Sequence, residues 1–435
     1  MQKLVINKLG PINQCELECT KFMTLTGFQA SGKSTIAKAI YYFRTIKEDI
    51  VELAKEQALY GASGNKGNLR IGLENHLREK FLRTFGSSWG MSNEMNMEYH
   101  FTETCCIRIS LKENTKYNSP NYIWIELGED LKQFLREKNA FLYCTPLGVA
   151  NVEVFKQELY KIFDDESTVV YIPAGRSMIT LLSQQFSYIY ATMDDIQKRS
   201  LDSCTKDYLE RILRLKPEFS EGLENLAAYY LTKKQLSKKT VILALNLIKK
   251  ILRGAYRYMN GEEQIVLEDG KYIKINFSSS GQQESVWILN LLFYYLLQGN
   301  PMLFIIEEPE SNLFPESQKY ITEMIALVSN CGHSVLLTTH SPYVLGTLNN
   351  LLYAHTIDEK YIKETEHIIS KELWLDNKQF NSWFVKNGAI ENCMDSEIHM
   401  IENERIDEIS KVINHDFDRM LELQDEIESV VEECH

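Results

Sequence analysis

The sequence predicts an α/β protein built on a parallel sheet. Three observations carry this expectation. Short apolar runs near residues 22–26, 169–172, 302–306 and 334–339 have the length and two-sided apolarity of buried parallel strands. Helical periodicity alternates with them, notably over 282–298 and 315–329. Turn signals such as Gly10-Pro11 and Asp269-Gly270 punctuate the runs.

The elements follow in order. Residues 3–8 alternate apolar and polar, and 21–26 are β-prone and end at Gly27. A helical pattern runs from Lys33 through Ile36, Ala39, Ile40 and Phe43 to about residue 59. Residues 99–111 and 122–127 read as antiparallel strands joined by a polar turn. The stretch from Arg176 to Tyr258 is mostly helical in pattern, and a hairpin over 263–276 follows it. Four segments result. Residues 1–60 are the first half of the α/β unit, and 61–165 an inserted antiparallel β and helical lobe. Residues 166–375 are the second half of that unit, and 376–435 an acidic helical segment.

Composition narrows the function classes. At 44% hydrophobic and 25% charged residues the chain is globular, so whole-chain disorder is excluded. A net charge of -13 excludes a wholly basic nucleic-acid binder but leaves a local basic patch open. Nine cysteines without a Cys-x-x-Cys pair, and no secretory leader pattern, lead us to expect free thiols and a cytoplasmic protein. The longest apolar run, 286–297, contains Asn290 and is too short to span a membrane.

Gly27-Phe28-Gln29-Ala30-Ser31-Gly32-Lys33-Ser34 matches G-x-x-x-x-G-K-[ST] between a strand and a helix, the context such a phosphate loop requires. Gly27 and Gly32 let the backbone wrap so that N–H groups face phosphate oxygens. The helix N-terminus adds its positive end. Lys33 is expected on the β- and γ-phosphates of ATP, Ser34 on Mg2+, and Thr35 within the same site. Met302-Leu303-Phe304-Ile305-Ile306-Glu307-Glu308 supplies an apolar strand ending in two acids, at the strand end where α/β sheets bind ligands. Glu307 is expected on the metal and Glu308 on the attacking water.

Here the chain resembles a family. Residues 3–12, the phosphate loop, Ser279-Ser280-Gly281-Gln282-Gln283-Glu284, Glu307-Glu308-Pro309-Glu310-Ser311-Asn312-Leu313 and Thr338-Thr339-His340-Ser341-Pro342 occur in one order. That order resembles the ABC-type P-loop ATPases of the chromosome-maintenance, RecF and OLD groups. The Glu-Glu-Pro-Glu form and Tyr171-Ile172-Pro173-Ala174-Gly175-Arg176-Ser177 are most similar to OLD-like ATPase subunits of bacterial anti-phage systems of the Septu, PARIS and retron-associated kinds. The likeness covers residues 1–45 and about 168–345.

The resemblance implies further roles. Ser280, Gly281 and Gln282 would form the signature loop that caps a nucleotide held by a neighbouring subunit. This chain departs from Leu-Ser-Gly-Gly-Gln by Ser279 and Gln282. His340 would contact the γ-phosphate, and Asn312 and Leu313 would cross the dimer interface. The implied protein is a homo-oligomeric ATPase that acts as sensor or scaffold beside a separate effector protein, a nuclease. A RecF-like DNA repair ATPase and a nucleotide-gated scaffold are the alternatives. Arg176 serves either a phosphate or an acidic neighbour.

Two charged regions remain. Lys233, Lys234, Lys238, Lys239, Lys249, Lys250, Arg253 and Arg257 share a stretch without acids, fit for DNA backbone, an acidic partner or solvent. Residues 395–435 hold fourteen acids and three bases, with Ile406, Ile409, Ile413, Phe417, Met420, Ile427 and Val431 at helical spacing. That pattern suits oligomer or partner contact.

Overall fold

The computed structural model describes residues 2–61, 68–114, 119–144, 149–181, 192, 202–232, 236–402 and 414–421. β1 (Lys3–Leu9) and β2 (Ile12–Glu18) form a hairpin, and β3 (Phe22–Gly27) leads into the glycine loop. Helices α1 (Lys33–Arg44) and α2 (Ile46–Gly61) follow. The single helix expected from Lys33 is thus divided at Thr45. The Thr45 hydroxyl donates back to the Tyr41 carbonyl at 2.7 Å, a bond that bends helices.

The chain continues through α3 (Leu69–Phe85), β4 (Asn96–His100), β5 (Cys106–Asn114), β6 (Ser119–Leu127), α4 (Glu129–Cys144) and α5 (Val149–Phe163). These are followed by β7 (Thr168–Ile172), α6 (Ser203–Leu215), α7 (Gly222–Leu231), α8 (Lys238–Leu252), β8 (Ala255–Met259), β9 (Glu262–Val266) and β10 (Tyr272–Lys274). The last stretch holds α9 (Ser280–Gln298), β11 (Met302–Glu307), α10 (Pro315–Asn330), β12 (Ser334–Thr338), α11 (Pro342–Thr356), β13 (Phe380–Lys386) and β14 (Ala389–Asn392).

Among the described residues the strands form three sheets. The central one has the order β14-β13-β3-β12-β11-β7, parallel except at the β14 edge. Both its faces are covered. Leu303 and Ile305 pack with α1, while Phe304 and Ile306 pack with α9. This explains the continuous apolar runs. The run at 286–297 lies buried in α9, and no helix among the described residues is long and apolar enough to cross a membrane. Cys15, Cys19, Cys105, Cys106, Cys204, Cys331 and Cys393 form no disulfide.

The antiparallel strands of 61–165 extend the first hairpin, because β4 pairs with β1 and the five strands run β2-β1-β4-β5-β6. Two sequence expectations are corrected. Residues 255–259 are strand β8 rather than helix. The chain turns at Gly254, where a Cβ would meet the Val266 carbonyl oxygen at 2.6 Å. The acidic helical segment does not begin at 376. Phe380, Trp383, Phe384 and Val385 are buried in β13, which pairs in parallel with the phosphate-loop strand β3. Further on, residues 414–421 are helical with Phe417 and Met420 exposed. Ile406, Ile409, Ile413, Ile427 and Val431 lie outside the described residues.

One ionic cluster ties α1 to the start of β7. The Arg44 guanidinium and the Lys47 ammonium both meet the Asp165 carboxylate, with Arg44 Nε at 2.9 Å. Arg44 also donates to Ser167 Oγ at 2.8 Å. Burial pushes the Asp165 carboxyl up, but the two cations outweigh it and hold it below the usual carboxylate range. Its stabilising effect is therefore present above that range and is lost as pH falls through the depressed value. Asp165→Asn would leave two buried cations short of their counter-charge. It should cost about 3–5 kcal/mol of stability, read from urea unfolding at neutral pH. A change within about 0.5 kcal/mol, typical of surface sites, would contradict this role.

Candidate nucleotide site

The central sheet sets the site by register. Glu307 on β11 lies opposite Thr338 on β12, and Thr338 lies opposite Leu25 on β3. The acid pair, the histidine strand and the glycine loop therefore emerge side by side at one sheet end.

The glycine loop is held by its neighbours. Gly27 has φ 137, and a Cβ there would stand 2.3 Å from the Val385 oxygen of β13. Gly32 has φ 109, and its Cβ would strike Ile12 at 2.4 Å. Only glycine fits either place. Phe28, Gln29 and Ala30 are exposed at the crest, with Ala30 in the left-handed region at φ 59. Phe28 packs edge-on to Phe384 of β13. Ser31 keeps a buried hydroxyl without a protein partner. Ser34 is exposed at the start of α1 and Thr35 is half-buried. Both line a cavity of about 540 Å³ with Gly10, Pro11, Lys38 and Phe85.

Lys33 is buried and folds onto its own loop. Its ammonium donates to the Gly27 carbonyl at 2.9 Å and the Phe28 carbonyl at 2.7 Å. Burial lowers its pKa, against the pull of Glu308 and Glu310. A phosphate would offer it stronger acceptors than carbonyls do.

The acids differ in role. Strand alternation puts Glu307 on the α1 side of the sheet with Leu303 and Ile305. Its Oε2 accepts from the Ala174 N–H at 3.3 Å, while Oε1 is buried without a well-formed hydrogen bond, as is the hydroxyl of neighbouring Tyr171. A buried carboxylate oxygen of this kind, with the Ser34 hydroxyl and the loop, is a hard-oxygen donor set that fits Mg2+. Glu308 leaves the strand at φ 44, a conformation costly for a non-glycine residue and frequent at functional sites. Its Oε1 lies 2.6 Å from His340 Nε2. That hydrogen bond lowers the Glu308 pKa, and the same bond raises that of His340.

The sequence reading gave Glu310 no role. Its Oε1 accepts from the Thr339 hydroxyl at 2.7 Å and the His340 N–H at 2.9 Å. It thereby fixes the turn that carries His340. The signal was the third acid of Glu-Glu-Pro-Glu, one residue beyond a proline bend. Lys38, one helical turn after Ser34, pairs with Asp202 at 3.0 Å. Arg176 is fully buried beside Glu284, at 3.3 Å, so of its two expected partners the structure selects the acid.

Ser280, Gly281 and Gln282 stand apart from this cluster. Among the described residues they form no hydrogen bond with residues 27–35. A Cβ at Gly281 would sit 2.6 Å from the Asn312 oxygen and 3.3 Å from Leu313. Ser279 caps α9, and the Gln282 carboxamide folds back onto the Ser279 N–H and the Leu252 carbonyl. The Gln282 side chain is therefore turned away from the exposed Ser280.

A family model described as an AAA ATPase domain matches residues 1–345. The chain belongs to this family. Its fold is that of a P-loop ATPase, as the sequence led us to expect. No curated protein matches the sequence. Among solved structures it is similar to the SMC head domain from Thermotoga maritima, at 12% identity over 90% of this chain and 97% of that one, with a TM-score of 0.37. It is also similar to an Smc head domain with an extended coiled coil bound to the C-terminal domain of ScpA, derived from Pyrococcus furiosus. There the identity is 11% over 95% of this chain and 100% of the other, with a TM-score of 0.38. At these scores the family assignment rests on the sequence match.

The Glu308–His340 contact sets a pH signature for this site. The raised His340 pKa makes the imidazolium stabilising below its ordinary value, and the effect is lost as pH rises through the folded value. The lowered Glu308 pKa is stabilising above the ordinary carboxylate value and is lost on acidification. Followed by NMR, His340 should titrate above the reference of about 6.5, and Glu308→Gln should bring the midpoint down. An unchanged midpoint in the variant would refute the pairing.

Proposed function

We propose that this ATPase-family chain binds Mg-ATP at Lys33 and hydrolyses it with Glu308 and His340, in a site that a second copy completes. The observation that carries the reading is the convergence, at one sheet end, of the Lys33 loop, the buried Glu307 oxygen and the Glu308–His340 pair.

Each residue has one task. Lys33 exchanges the Gly27 and Phe28 carbonyls for phosphate oxygens. The α1 N-terminus and the N–H groups of residues 28–35 hold the remaining phosphate charge. Ser34 and Glu307 would hold Mg2+, which when bound neutralises charge developing on the phosphoryl oxygens. Glu308 accepts a hydrogen bond from the attacking water and takes its proton as the bond to phosphorus forms. His340, held by Glu308 and placed by Glu310, donates to the transferring phosphoryl group. The cavity beside Ser34 and Thr35 is large enough for the nucleoside half of ATP.

The second copy would bring Ser280 and the start of its α9 onto the γ-phosphate. Ser280 is exposed, and Phe277 and Phe314, on the adjoining segments, are 81% and 74% exposed. Large apolar side chains left so exposed favour a protein contact. ATP then acts as the bond between copies and hydrolysis releases them. The motif resemblance to OLD-like subunits carries the biological reading: sensor or scaffold of a bacterial anti-phage system, with destruction performed by a separate effector nuclease. The DNA reading is weaker on this surface. Lys239, Lys249 and Arg253 each pair with a glutamate of the same chain. Lys233 and Lys234 lie outside the described residues.

Steady-state turnover against protein concentration tests the reading. Turnover per chain should rise with concentration and be indifferent to duplex DNA. Lys33→Ala should abolish nucleotide binding, while Glu308→Gln should bind and turn over about 100-fold or more slowly. A hydrolysing monomer would refute the shared site, and stimulation by DNA would favour repair.

A further inference from the structure

Arg176 is among the largest fully buried side chains in the protein, and no phosphate can reach it. It sits just past β7, at the start of a helical turn. Its acceptors lie on three separate stretches of the chain. Nη1 donates to the carbonyls of Pro173 and Glu307, each at 2.6 Å. Nη2 donates to the Glu308 carbonyl at 2.9 Å. Nε donates to the Glu284 carbonyl at 3.1 Å and lies 3.3 Å from the Glu284 carboxylate. The Arg176 N–H adds a bond to that same carboxylate at 3.0 Å. One turn on, the Thr180 hydroxyl donates to the Gln283 carbonyl at 3.1 Å.

These contacts join two parts of the proposed machinery. Glu307 and Glu308 carry the metal-facing and water-facing carboxylates. Glu284 lies one turn into α9, whose first residues are Ser280 and Gly281. The peptide between Glu307 and Glu308 is held through the carbonyls on either side of the left-handed Glu308. A planar guanidinium spans such divergent acceptors, and an ammonium cannot reach them together. A charge buried this deeply stays only because its donors are satisfied.

We propose that Arg176 is a positioning residue that locks the backbone of Glu307 and Glu308 to the start of α9. Movement of the Ser280 loop against a neighbouring copy is then transmitted through Glu284 and Arg176 to the placement of Glu308. Arg176 is fully buried and acts through the two acids. The proposal rests on the hydrolytic reading for its kinetic consequence but not for its geometry.

Two measurements on the full chain test it. The first is hydrogen–deuterium exchange without nucleotide, comparing wild type with Arg176→Lys and Glu284→Gln. Exchange should quicken over residues 305–313 and 279–286 and stay unchanged over 22–34. The second is ATP kinetics. Arg176→Lys should lower kcat on the order of 100-fold, the cost of slight misplacement, while nucleotide affinity stays within about twofold. Glu284→Gln should show the same split more weakly. It keeps the side-chain shape and covers the case in which Arg176→Lys folds poorly. Unchanged exchange over 305–313, or a uniform rise across the whole chain, would overturn the lock. Equal losses in kcat and affinity would overturn its positioning role. A wild type that turns over no ATP would sink the hydrolytic reading alone, since the exchange data still decide the lock.

Discussion

Parallel pairing of β3, β12 and β11 is the constraint on which the site depends. In a parallel sheet all strands present their C-terminal ends on one side. Here those ends carry the Gly27 loop, His340 and the two acids. The three stretches are distant in sequence. Register brings them into a row, and burial on both faces allows that row little freedom. The geometry of the proposed site is thus a by-product of core packing. Leu303, Ile305 and Leu336 pack against α1, while Phe304, Ile306 and Val335 pack on the side of α9.

Charge is handled differently within and around the site. Asp165 with Arg44 and Lys47, and Arg176 with Glu284, are buried and ion-paired, so they act as rigid joints. Glu307 keeps one oxygen without a well-formed hydrogen bond, and Lys33 is satisfied only by carbonyls. Those two groups would gain most from a phosphate and a divalent cation. The left-handed Glu308 adds local strain at the residue proposed to meet water. Ser31, Glu307 and Glu310 each keep a buried polar atom without a well-formed hydrogen bond where ATP is proposed to bind.

Much of this was legible in the sequence because the signals are local. The phosphate loop announces itself by glycine spacing, and the buried strands by continuous apolar runs. Glu307, Glu308 and His340 each stand at the end of such a run. What was hidden depends on non-local pairing. β13 contains Asn381 and Ser382 within a short apolar stretch, so its place beside β3 cannot be read from its own pattern. The membership of β4, β5 and β6 in the β1 sheet is equally non-local. β8 was concealed because Tyr256 and Arg257 continue the composition of α8, and Gly254 alone marked the break. The sequence reading left Arg176 between two partners, and only its burial beneath the acid strand decides for Glu284.

Mixing two inactive variants is the most direct test of a site shared between copies. Lys33→Ala lacks a working phosphate loop but keeps its Ser280 loop. Ser280→Arg keeps the phosphate loop but blocks the capping surface. Each alone should be inactive. In a mixed pair, one intact phosphate loop faces one intact Ser280 loop, so ATP turnover should reappear on mixing. Turnover that stays at background at all mixing ratios, with both variants folded and associating, would contradict the shared site.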